Sequence, residues 1–152
     1  MTYRIIDEPA PSGLSRYIVN PFWPLLGSMF GGAWLAWPWF LLNSLAFGRG
    51  RRFDVDLAWL SFGLALNAGS VMLVAKLLEA HVIEQRMYAD LLPQAARLTL
   101  LYVVFLRQQR TFQLFEHFGG VGRNGLLVVF IGGALRGQVL AHVPPLLRSL
   151  LG

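Results

Sequence analysis

The stretch GSMFGGAWLAWPWFLLN, Gly27 to Asn43, packs two adjacent glycines, three tryptophans and a proline into one run without a charge. Glycine and proline are poor helix residues in water. In a bilayer the balance differs, because lipid offers no replacement for a lost backbone hydrogen bond, so an apolar run stays helical through such residues. The stretch therefore reads as the centre of a membrane helix from about Phe22 to Phe47, kinked at Pro38. At 1.5 Å per residue that tract is about 35–39 Å long, enough to span a hydrocarbon core with tilt. Phe22 and Trp23 suit one interface, Pro24 suits the first helical turn, and Trp37 and Trp39 reach toward the other interface.

Working outward, three further tracts follow. The second runs from about Leu57 to Leu78, with Asp54 and Asp56 at its start and Lys76 near its end. The third centres on Leu98–Leu106 and can continue past Arg107 to a stop at Gly119–Gly120. The fourth spans Leu126 to Leu147, with Pro144 and Pro145 expected to end it. Between the second and third, residues 79–94 read as an amphipathic surface segment or as an extension of the second helix. The expected architecture is an all-α integral membrane protein with four transmembrane helices. The alternative is three spanning helices plus an interfacial amphipathic helix. Residues 1–20 form a polar arm, and 21–152 a single transmembrane domain.

Composition supports this class. Of 152 residues, 55% are hydrophobic and only 14% charged, against about a quarter charged in ordinary soluble domains. The arm carries Asp7, Glu8 and two prolines and lacks the apolar core of a signal peptide, so the first tract is expected to remain in the mature chain. Twelve of the thirteen basic residues are arginine, which suggests a high-GC bacterial genome and hence the bacterial inner membrane. The net charge of +5 is scattered at tract edges without a basic stripe, which argues against nucleic acid. With four tracts, Arg49, Arg51, Arg52, Arg107, Arg110 and Arg123 share one side and Arg4, Arg16, Lys76, Arg86, Arg97 and Arg148 the other. The density of GRGRR, Gly48 to Arg52, places that loop in the cytoplasm and both termini outside.

Small residues let membrane helices approach closely. Gly27 with Gly31, Gly133 with Gly137, and the row Ser61, Ala65, Gly69 are the candidate packing positions. The segments LLGSMFGGA (Leu25 to Ala33) and LLVVFIGGA (Leu126 to Ala134) echo each other, over too few positions to establish a duplication.

Two polar residues lie deep in apolar tracts: Arg136 in the fourth and Asn67 in the second. An arginine at mid-membrane costs at least about 2.5–3.5 kcal/mol on insertion scales. Both are candidates for contact with a ligand, a lipid or a partner. The bland alternatives are an Arg136 nearer an interface and an Asn67 engaged in an ordinary interhelical bond. His81 and His142 fall on one side and could bracket a haem b, but nothing else supports it, and no cofactor or metal is expected. The absence of cysteine excludes thiolate sites and disulfides. No nucleophile elbow, phosphate loop or zinc-helix motif is present, so no catalytic residue is assigned. The expected function is a non-catalytic structural or accessory subunit of a larger membrane complex, with other membrane subunits and lipids as partners. The alternative is a small oligomeric channel or transporter in which Arg136 meets an anion.

Overall fold

The computed structural model describes residues 13–48, 51–81, 91–144, 147–148 and 151. All the regular structure among them is helical: a 3-10 turn at Ser15–Tyr17, then α1 (Phe22–Phe30), α2 (Ala33–Ala46), α3 (Arg51–Glu79), α4 (Leu91–His117) and α5 (Leu126–Ala141). The proposed amphipathic segment lies largely outside the described residues.

The first tract departs from the expected single helix. It is two helices, about 13–14 Å and 21 Å long, folded back on each other. The chain turns at Gly32, whose φ of 99° and ψ of −176° suit glycine alone, and not at Pro38, which lies inside α2. The Gly31 and Gly32 amides both donate to the Gly27 carbonyl, closing the last turn of α1. The missing side chains then allow close approach. A Cβ on Gly31 would stand 2.7 Å from Leu35 Cδ2, and one on Gly27 would touch Leu35 and Trp39 at 3.4 Å. The smooth face of α1 is thus covered by the second half of its own tract.

This fold-back returns the chain to its point of entry. The Val19 amide donates to Asn43 Oδ1, and Trp23 and Trp39 both crowd Gly125. The Arg123 amide donates to the Ile18 carbonyl (2.8 Å), in a parallel bridge between Val19 and Arg123. The arm, the end of α2 and the loop before α5 therefore share one end of the molecule.

α3 and α4 form the longest pair and run antiparallel, with Asp56 beside Arg107 and Gly63 against Leu100. The main core joins Ala36 and Phe40 of α2, Leu60 of α3, and Leu101 and Val104 of α4, with Leu25 of α1 at its edge. A second cluster, Ile18, Ala46, Phe47 and Phe112, seals the arm end. α5 packs against the first tract, with Gly133 on Phe30 of α1 and Gly132 on Leu35 of α2, and buries Val129, while Leu127, Phe130 and Ile131 face outward.

Among the described residues one helix is long and apolar enough to cross a membrane, over Phe53–Glu79 with mean hydropathy 1.7. α4 has 27 residues but carries arginines and glutamines on several faces. α5 stops at Ala141 after 16 residues, just short of the Pro144 and Pro145 expected to end the fourth tract.

Candidate functional site

Two polar layers cross the helices. The first begins with Asn43, 2% exposed, on the inner side of α2. Its Nδ2 donates to the Val19 carbonyl (3.1 Å) and to Gln108 Oε1 (3.2 Å), while its Oδ1 accepts from the Val19 amide (3.1 Å). Gln108, 1% exposed, donates from Nε2 to the Phe40 carbonyl (2.8 Å). The next residue on each helix extends the layer: Ser44 Oγ donates to Asp56 Oδ2 (2.5 Å), and Arg107 Nε donates to Asp56 Oδ1 (3.2 Å). The arm, α2, α3 and α4 are thereby joined by satisfied buried groups, the condition under which polar groups confer a single register instead of a cost.

The second layer lies about 15 Å further along α4, by the rise of ten residues. Continuing the α3–α4 register from Asp56–Arg107 and Gly63–Leu100 brings Asn67 level with Arg97. Asn67 is 1% exposed and Arg97 4%. Arg97 Nη2 donates to Gln94 Oε1 (2.8 Å), and the buried Arg97 Nε has no hydrogen-bond partner among the described residues. Ser70 Oγ donates to the Asn67 carbonyl (2.8 Å). On α5, the half-buried Arg136 follows by one turn the Gly132 and Gly133 that abut Leu35 and Phe30. Asn67 and Arg97 thus share one level of the α3–α4 pair, while Arg136 lies on α5 one turn beyond that helix's contacts with α1 and α2. A buried guanidinium with an unbonded Nε favours an anionic or carbonyl partner by simple electrostatics.

The remaining sequence candidates are dispersed. Gly27, Gly31 and Gly133 sit in contacts among α1, α2 and α5. Nothing lies within 4 Å of a Cβ placed on Gly137 or Gly69, and Ser61, Ala65 and Gly69 all face outward from α3. His81 occupies an exposed turn at φ 55°, and His142 Nδ1 bonds the Gln138 carbonyl (2.8 Å). Among the described residues no three His, Cys, Asp or Glu side chains gather as a metal site.

Sequence reasoning missed Arg97, counting it with the interface charges. The signal was present: Arg97, Leu101, Val104, Gln108 and Phe112 recur at helical spacing on the buried face of α4. The same period would have flagged Gln108. Comparison of the chain with protein-family models, curated proteins and solved structures gives no match, so the functional reading rests on geometry.

Proposed function

We propose that this chain is a non-catalytic structural or accessory subunit of a membrane complex, in the bacterial inner membrane. α3, α4 and α5 cross the bilayer in this reading, and the first tract enters and leaves on one side in place of a fourth crossing. The observation that carries the proposal is the outer face of α3. Asp56, Leu60, Gly63, Asn67, Ser70 and Val74 line its buried side. At 100° per residue, Ser61, Ala65 and Gly69 lie directly opposite, exposed, with Ala58 continuing the strip. Lipid gains nothing from small residues, whereas a second helix can approach closely over them. The face that this chain leaves uncovered is therefore shaped for another subunit's helix.

The test is migration on a native gel in mild detergent, followed by mass spectrometry of the bound proteins. Ala65→Leu with Gly69→Leu fills the strip without touching the fold. The expected result is loss of the partner proteins. An unchanged complex, or a wild-type chain that runs alone, would refute the proposal. A second reading, a small anion channel or transporter, draws support from the buried Arg97, whose Nε has no hydrogen-bond partner among the described residues, on a level with the buried Asn67. It predicts a homo-oligomer and anion flux in liposomes, reduced by Arg97→Gln.

A further inference from the structure

We infer that the cleft between α3 and the last turns of α4 binds the headgroup of an acidic phospholipid. This inference rests on the membrane reading above and goes beyond it by naming a ligand site. The cleft has a volume of about 520 Å³ and is lined by Val103, Leu106, Arg107, Arg110, Thr111 and Leu114 of α4, with Asp56 of α3 at its base.

Chemistry divides the cleft along the α4 axis. Val103 and Leu106 form an apolar wall on the side toward the middle of the bundle. Further on, Arg107, Arg110 and Thr111 supply donors, and Leu114 closes the far end. An acyl chain beside the first group places a phosphodiester beside the second. Asp56 does not oppose an anion here. Its two oxygens are taken by Ser44 Oγ and Arg107 Nε, and the Arg107 charge balances its own. The Arg107 pair with Asp56 fixes the guanidinium through Nε and leaves its two Nη groups unengaged among the described residues. Arg110 is exposed, with no hydrogen-bond partner among the described residues. The cleft thus carries one net positive charge, which matches a singly charged phosphodiester.

Position supports the same ligand. The cleft lies at the end of the molecule shared by the arm and the loop before α5, where Arg16 and Arg123 also sit. Basic pockets between membrane helices at such an end are recognised sites for anionic headgroups. Phosphatidylcholine has a compensating cation and gains little there.

The test is native mass spectrometry of the full chain in mild detergent, with equal phosphatidylglycerol and phosphatidylcholine added. The wild-type chain is expected to retain phosphatidylglycerol preferentially. Arg110→Gln leaves the Asp56–Arg107 pair intact and is expected to lower that retention about fivefold, the effect of one basic residue at an anionic surface. Arg107→Gln should lower it at least as much. Equal retention of the two lipids, or an Arg110→Gln chain indistinguishable from wild type, overturns the inference. So does displacement of the lipid by millimolar inorganic phosphate, which assigns the cleft to a free anion. Alkaline carbonate extraction separates the two levels. Release of the chain from membranes overturns both readings, whereas retention without lipid preference overturns this one alone.

Discussion

Replacing Asn43 by alanine removes the side chain that ties the arm to the helices, and the consequence can be worked out bond by bond. Three hydrogen bonds are lost, two to the Val19 backbone and one to Gln108. Gln108 keeps its bond to the Phe40 carbonyl and can rotate, so its loss is small. The Val19 amide and carbonyl have no such freedom. Val19 is buried, and its neighbour Ile18 is pinned by Arg123 and the Phe112 cluster. Each orphaned buried group costs about 1–3 kcal/mol, giving about 2–6 kcal/mol for the pair. Interhelical polar bonds in membranes average nearer 0.6 kcal/mol, because the membrane-unfolded chain finds other partners. The larger figure applies here because Val19 belongs to the arm, which water solvates once it is released. Asn43→Ala should therefore detach the arm before it unfolds the bundle. Hydrogen exchange in detergent would read this as lost protection at the Val19 and Arg123 amides, with Leu101 and Val104 protected as before. Retained protection at Val19, or a stability change under about 0.5 kcal/mol, would refute the reasoning.

Other outcomes follow from the same contacts. Gly132→Ala places a Cβ into the Leu35 side chain and should cost about 1–3 kcal/mol in thermal unfolding, whereas Gly137→Ala, with open space around it, should be neutral or slightly stabilising. Gly32→Ala forces a side chain into a glycine-only backbone conformation, and a loss of about 1–3 kcal/mol is expected. The fold-back predicts sidedness: in this cysteine-free chain, Ser15→Cys and Asn124→Cys should react with an impermeant thiol reagent from the same face of the membrane, and His81→Cys from the other. A first tract that crossed the bilayer would put Ser15 with His81 instead.

Much of the helical layout is legible in the sequence, and the exceptions share a cause. The second tract, read as Leu57–Leu78, is the core of α3, and the glycine stop after the third is realised where α4 ends at His117 and Gly119 takes φ 85°. The turn at Gly32 is different. The same GGA occurs at Gly132–Ala134 in α5, where the helix runs straight through it. Local propensity is identical in the two places. What differs is the neighbour: Leu35 and Trp39 fold back over Gly27 and Gly31, whereas Gly132 and Gly133 receive Leu35 and Phe30 from another helix. Tertiary packing decides which glycine pair breaks, and hydropathy carries no trace of it. The candidate site was half legible for a related reason. Arg136 and Asn67 stand out near the centres of their apolar tracts, but Arg97, Asn43 and Gln108 lie toward tract ends and are distinguished only by the face they occupy.

The turn at Gly32 also changes the parity of the chain. In the three-crossing reading proposed above the number of crossings is odd, so the arm and the residues after α5 would belong to different compartments. Arg16 then joins the GRGRR side, and Arg4 goes with it because no apolar tract separates them. The six-to-six tie of basic residues becomes eight against four, weighting the arm end toward the cytoplasm. On that reading one backbone angle, a glycine conformation at Gly32, would set which end of the polypeptide the cell interior can reach.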